Sequence, residues 1–535
     1  MIPKPRIFFM LWTLIGFLLI FSLPDYGGRP LHPETPRAGG ILRVRVFSDV
    51  FKPDLDPASG SWAIITEQIF DGLVRLDNDF SPVPSLAEYW NISEDKRRYT
   101  FFLRRGVRFH DGREMTSEDV KFSLERLVRR ETNCPFREYF LQRVVGAQEF
   151  YDGKTGDVAG FKAPEKYVFE VHWRTPYPSA LLLLSMSSCK ILPRELVLAQ
   201  GKNFFWKPIG TGPFKFDHWL RSPKLEIVGA HLERNYGYFG GGIYLQALEF
   251  SPYFTEDHFM ERETDVIPFF SDRLARAGCQ VLVSEPRSLS FLLLSCQIPP
   301  MDRLGVRKAL AFGIDKEKLA AAAGIREIFS LATGNFIPSD WPGFFPKDDT
   351  IAYDPEMARQ ILYEQGFSEK KFPELILYLP APRNDAQIRF SAELGRELEK
   401  LDISVSVKYY QSLPEIRDQT RPFLIKADWP LEFPDPENII LPLFSSRSPI
   451  NIANGRYVNP RLDSLLEESE RESSWSRRTE LFRQMERNLE EDLPAIPLFM
   501  NEPRIAVQPY VRGLKIPSLG FDYLDVREVW LDKKE

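Results

Sequence analysis

Cysteine is nearly absent from this 535-residue chain, with four residues widely separated. That excludes a disulfide-dense scaffold. Neither a CxxC pair nor a His-rich spacing occurs, so the sequence carries no metal-site signature, and no cofactor is expected. Histidine numbers six. None stands in a recognisable nucleophile–base setting, which leaves an exported hydrolase with little to work with. Charge of either sign is nearly balanced, 69 Lys plus Arg against 75 Asp plus Glu for a net −6. With no basic stripe, nucleic acid is not an expected partner. What is plentiful is apolar and aromatic: 43% hydrophobic, 13% aromatic, and 43 prolines. Such a chain is not disordered. It is too long for one small core, so two or three domains or lobes are expected.

The N-terminus sets the compartment. Lys4 and Arg6 precede Ile7 to Leu23, a run without a charged residue. A basic head on an apolar run has the layout of an export signal. Bulky residues continue to Phe21, and no small-x-small cleavage site follows. The run is therefore read as a signal or membrane anchor, with the bulk of the chain outside the cytoplasmic membrane. Residues 24–40 are rich in Pro and Gly and read as a tether. Beyond it, Cys279 and Cys296 are the nearest pair for one disulfide, and free buried thiols are the alternative.

Periodicity predicts strands at 41–47, 99–103, 107–109, 167–173, 215–219, 225–228, 375–379 and 403–409. Helices are predicted at 64–73, from Thr116 onward, and at 306–323, 355–365, 386–400 and 460–493. Thr116 and Asp119 have the spacing of a capping box, and Gly366 that of a C-cap. The strand–helix–strand order over 375–409 reads as a parallel βαβ unit. His110-Asp111-Gly112 invites a catalytic reading, but a tight turn is the simpler one. Gly210-Thr211-Gly212-Pro213 lacks the Lys and spacing of a P-loop and reads as a bend entering a strand. Arg307 and Asp315, eight apart near one helix, read as surface or interlobe pairing partners.

Seven blocks share a further property. They are IFDGLVRLD with PSLAEYW onward (69–127), IGTGPFKF (209–216), ERNYGYFGG (233–241), GVRKALAFGIDKEKL (305–319), YDPEMARQILYEQGF (353–367), WPLEFPDPENIILPLF (429–444) and PAIPLF (494–499). In order and content they resemble the extracellular solute-binding proteins of bacterial peptide, dipeptide and nickel ABC importers. The resemblance implies an α/β, two-lobed periplasmic-binding-protein-like fold of the type II class with an inserted subdomain. It implies one lobe from 41–68, 190–285 and 498–535, the subdomain at 69–189, and the second lobe at 286–497. It also implies a monomer that captures a peptide by lobe closure and passes it to ABC transporter permease subunits, without chemistry.

The resembled family receives the ligand's α-ammonium on an acid within a Trp-x-x-Asp-aromatic-Pro-Asp-Pro pattern. Here Trp429 matches, Glu432 replaces the first Asp, and Asp435 is retained. A buried ammonium is costly unless paired, so a carboxylate suits the position. Glu reaches one methylene further than Asp, which bears on ligand register. Trp62, Phe136 and Tyr139 fall where the family lines its cleft. The ligand-binding set is therefore Trp429, Glu432, Asp435, Trp62, Phe136 and Tyr139. The alternatives are another solute in the same fold (a nickel chelate, an oligosaccharide or a haem-like ligand) and an exported hydrolase.

Overall fold

The computed structural model describes residues 35–533 apart from 47–50, 284–287, 325–328, 332–334, 340, 342, 345–350, 368–369, 412–415, 417–419 and 503. The run 7–23 and most of the tether lie outside these residues. No helix among the described residues is long and apolar enough to cross a membrane.

Alternating apolar residues build three main sheets. In the first lobe the strand Ile41–Arg45 buries Leu42 and Val44 and turns Arg43 and Arg45 outward. It lies inside a seven-stranded sheet whose order is Gln280–Val283, Arg504–Val507, Val266–Ile267, Ile41–Arg45, Ala247–Ser251, Ile227–Arg234, Phe214–Arg221. Ile41–Arg45 pairs in parallel with Ala247–Ser251, while the last three strands form an antiparallel set. The predicted hairpin around Ser222-Pro223 is the final pair.

The second lobe holds a six-stranded sheet, in the order Phe329–Leu331, Ala495–Asn501, Ser288–Leu294, Phe423–Pro430, Leu375–Pro380, Val405–Tyr410. Leu375–Pro380 and Val405–Tyr410 are parallel and joined by the helix Asp385–Glu399, as the βαβ pattern predicts. Both faces of this sheet are covered, so its strands are apolar runs rather than alternations. Phe291 and Leu293 face one cluster, and Leu292 and Leu294 face the other, which includes Leu394 and Leu398 of the helix.

The inserted subdomain is a four-stranded antiparallel sheet (Ala87–Ile92, Arg98–Leu103, Val168–His172, Phe161–Glu165) with the helix Ser117–Val128 against it. Thr116 and Asp119 form the predicted capping box of that helix, with the Thr116 N–H donating to Asp119 Oδ2 at 2.9 Å. One continuous apolar cluster runs from the subdomain (Phe101, Phe140, Trp173) into the second lobe (Phe433, Ile440, Phe444). The first lobe keeps a cluster of its own around Val44, Phe214 and Phe250. Each such fully buried side chain contributes about 1.5–3 kcal/mol.

Several expectations are corrected. Residues 107–109 form no strand, only an isolated bridge between Arg108 and Glu114. The helix expected over 306–323 is two helices, Leu304–Gly313 and Lys316–Ala323, because Asp315 accepts from Lys318 N and starts the second. Asp315 is thus a cap, and Arg307 is buried with its guanidinium on the carbonyls of Met301, Asp302 and Asp492. The region 460–493 also divides, into Pro460–Arg471 and Trp475–Asp492. All four cysteines are free. Cys279 adjoins a strand of the seven-stranded sheet and Cys296 one of the six-stranded sheet, which keeps the nearest sequence pair in different lobes.

Candidate functional site

The segment after the strand Phe423–Pro430 turns back toward the first lobe before the helix Glu437–Phe444 begins. Glu432 sits at this turn, half-buried. Across from it stands Tyr523, in the single 3₁₀ turn Phe521–Tyr523. That turn is held to the first lobe, where Gln68 Nε2 donates to Leu524 O at 2.8 Å. The Tyr523 hydroxyl lies 3.4 Å from Glu432 Oε2 and also accepts from Ser187 N at 3.3 Å.

Among the described residues Glu432 has no cation beside it. Burial, then the charges of Asp522 and Glu67, push its carboxyl up to about 7, against a lowering by the Tyr523 hydrogen bond. Asp522 keeps open surface, yet the protein around it desolvates its carboxyl enough to raise it. Glu67 is raised by burial, against the pull of Lys190, whose ammonium is 2.7 Å from Glu67 Oε2. The other oxygen, Oε1, is buried with no hydrogen-bond partner among the described residues. The electrostatic field here favours a positive guest.

A cavity of about 360 Å³ adjoins this cluster, within the range of small-ligand sites. Glu67, Asp71, Lys190, Tyr238, Arg527 and Tyr523 are on its wall. Asp71 is held by Thr211 Oγ1 at 3.0 Å and the Tyr238 hydroxyl at 3.2 Å. Tyr523 belongs to both places, since it lines the cavity and touches Glu432. None of the six residues of the sequence-derived set lines the cavity itself.

Those six fall into separate groups. Trp429 Nε1 and the Tyr139 hydroxyl both donate to Asn438 O, at 2.9 and 3.2 Å, and Tyr139 packs edge-on to Phe433. Tyr139 is buried and its hydroxyl is committed to that carbonyl. Asp435 is fully buried, paired with both guanidinium nitrogens of Arg478 and with Ser179 Oγ at 2.6 Å. Phe136 lies against Gly60, where an added Cβ would meet its ring at 3.1 Å. Trp62 stacks on Phe51 at 4.6 Å and donates to Lys52 O. It belongs to the first-lobe cluster, apart from the others.

The sequence reading missed two features. One is a buried ionic bridge between subdomain and second lobe: Arg143 contacts Glu437 and Glu470, Tyr177 reaches Glu437 at 3.4 Å, and Arg478 spans Asp435 and Glu437. Its members are too far apart in sequence to leave a local pattern. The other joins two motifs that were read separately. The His110 turn closes through Gly112 N to Phe109 O, and its imidazole clasps the Gly210–Gly212 bend. Gly210 N donates to Nδ1 at 3.2 Å and Nε2 faces Gly212 O at 3.0 Å, which fixes one neutral tautomer. Burial, the largest influence, lowers this imidazole to about 4.

The profile described as Bacterial extracellular solute-binding proteins, family 5 Middle, matches residues 81–450. The dipeptide-binding protein of Escherichia coli (strain K12) is 24% identical over 501 residues, covering 88% of this chain and 90% of that protein. Heme-binding protein A of Haemophilus influenzae is 23% identical over 508 residues, covering 88% and 89%. Among solved structures, Haemophilus influenzae OppA in complex with the peptide RPPGFSPFR superposes with a TM-score of 0.75 at 22% identity, covering 93% of this chain and 100% of that one.

Proposed function

This chain belongs to family 5 of the bacterial extracellular solute-binding proteins, and we propose from that membership that it captures short peptides and delivers them to the permease of an ABC importer. The family is a solute-binding one, not an enzyme class. The bodies that close are those near 41–68, 190–285 and 498–535 on one side and 286–497 on the other, with 69–189 riding on the second.

The observation that carries the reading is Glu432. It is a half-buried carboxyl at the junction of the lobes, raised to about 7, flanked by Asp522 and Glu67 and, among the described residues, with no cation beside it. An incoming α-ammonium supplies the missing charge. In this reading Trp429 and Tyr139 shape the wall through Asn438, Asp435 braces it, and Phe136 and Trp62 are apolar contacts. The uncharged run 7–23 either anchors the chain to the outer face of the membrane or is removed on export.

The haem-binding relative favours a second solute class. Haem carries anionic propionates, which the acids at 67, 432 and 522 repel, so this cluster weighs toward a cationic guest. Calorimetry separates the readings. A short peptide with a free amine should bind, its N-acetylated form should lose affinity strongly, and Glu432→Gln should abolish the difference. Tight haem binding indifferent to Glu432→Gln, with no response to any peptide, overturns the proposal.

A further inference from the structure

The outer face of the first-lobe sheet carries a polar row that crosses four adjacent strands. Arg43 is in register with Glu249, Glu249 with His231, and His231 with His218. The row ends on Phe214–Arg221, the edge strand. Arg43 Nε donates to Glu249 Oε2 at 2.7 Å, and Glu249 Oε1 is 3.1 Å from His231 Nδ1. The rings of His231 and His218 stack at 4.7 Å with 19° between their planes.

Asp217 joins them through an irregularity. In a regular strand Asp217 and His218 would point to opposite faces. The pairing with Ile227–Arg234 slips between Phe216 and His218, leaving Asp217 as the extra residue of a bulge. A bulge re-aims side chains, and here Asp217 Oδ2 comes to 2.6 Å from His218 Nδ1. One ligand atom from each of Asp217, His218 and His231 then lies within 4.8 Å of the other two.

We propose that Asp217, His218 and His231 form a surface site for a borderline-soft divalent cation of the zinc or copper kind. Two imidazoles and one carboxylate suit such ions, whereas calcium and magnesium take oxygen ligands. The row behind the site supports this. A carboxylate on the far nitrogen of a ligating histidine sets its tautomer and raises its basicity, and Glu249, itself held by Arg43, stands where it does this for His231. That leaves His231 Nε2 for the metal. The carboxylate contacts of both rings are at Nδ1, from Asp217 to His218 and from Glu249 to His231. Access is open, with Asp217 46% and His218 56% exposed while His231 is held at 12%. The two histidines are thirteen positions apart in sequence, so only the hairpin brings them together and no sequence spacing announces the site.

The test is titration of the full chain, carrying no polyhistidine tag, with zinc chloride and separately with copper(II). One ion should bind per chain. His218→Ala and His231→Ala should each weaken zinc at least tenfold, and Glu249→Gln, a positioning change, about tenfold. His172→Ala, in the subdomain, should leave it unchanged. Copper(II) electron paramagnetic resonance should show coupling to two nitrogens, falling to one in each single variant. The thermal melt of the metal-free His218→Ala variant should match the parent, since that side chain is 56% exposed. Unchanged zinc affinity in the His218→Ala/His231→Ala double variant, or magnesium binding as tightly as zinc, overturns the proposal.

Discussion

Tyr523 reaches from the first lobe to Glu432 of the second, its hydroxyl 3.2 Å from the backbone oxygen and 3.4 Å from Oε2. The contact spans the space between the lobes without neutralising the carboxyl. Burial raises Glu432 to about 7, so this carboxyl holds a proton more readily than one in water.

A cationic guest lowers that carboxyl and expels its proton. Affinity for a free-amine peptide should therefore rise with pH, by up to about tenfold per unit between roughly pH 5 and 7, and flatten above. The measurement is calorimetry in buffers of different ionisation enthalpy. It should read close to one proton released near pH 6, and far less for Glu432→Gln. The ligand-free protein should respond in the opposite direction. A carboxyl raised on folding stabilises below its unfolded value, and that stability is lost as pH rises through about 7.

His110 gives a second dependence. Its imidazole is lowered to about 4 in the folded state from an ordinary 6.5, so the unfolded chain binds more protons between those values. Its contribution is intact above about pH 6.5 and is lost as pH falls toward 4, by up to roughly 3 kcal/mol. Urea unfolding across this range should show the loss. His110→Gln should remove that slope and cost about 1–3 kcal/mol at neutral pH, because the fitted clasp on Gly210 and Gly212 is broken.

The bend itself tolerates no side chain. A Cβ on Gly210 would meet Ile69 O at 1.9 Å and Phe70 Cδ1 at 2.7 Å, whereas one on Gly156 meets nothing within 4 Å. Gly210→Ala should destabilise by about 3 kcal/mol or more. Gly156→Ala should stay within about 0.5 kcal/mol. Denaturant midpoints of the two variants make the comparison.

The bridge of Arg478 to Asp435 and Glu437 is buried on both sides. Arg478→Met should cost about 3–5 kcal/mol, since two buried carboxylates lose a partner. Adding Asp435→Asn to that variant should recover part of the loss. A double-mutant cycle of unfolding free energies measures the coupling.

Local pattern predicted well where an element's reason is local. Leu375–Pro380, Asp385–Glu399 and Val405–Tyr410 follow apolar periodicity over a stretch that pairs with itself. It failed where a partner decides. Val107–Phe109 alternates like a strand but finds only the Arg108–Glu114 bridge, and Asp315 interrupts a continuous apolar helix pattern by capping. The motif around Trp429 picks out Glu432 in the sequence, but not its surroundings. Tyr523 lies 91 residues from Glu432, and Arg143 lies 294 from Glu437. Such distances leave no periodic trace, because the fold alone makes the residues neighbours.

The sheet order has a consequence for how the chain is made. Arg504–Val507 lies between Val266–Ile267 and Gln280–Val283, and Ala495–Asn501 lies between Phe329–Leu331 and Ser288–Leu294. Neither half can finish its hydrogen bonding while the ribosome still holds the tail. Strands translated hundreds of codons earlier wait with bare edges for the final stretch, and an early stop codon upstream of 495 leaves a gap in both sheets at once.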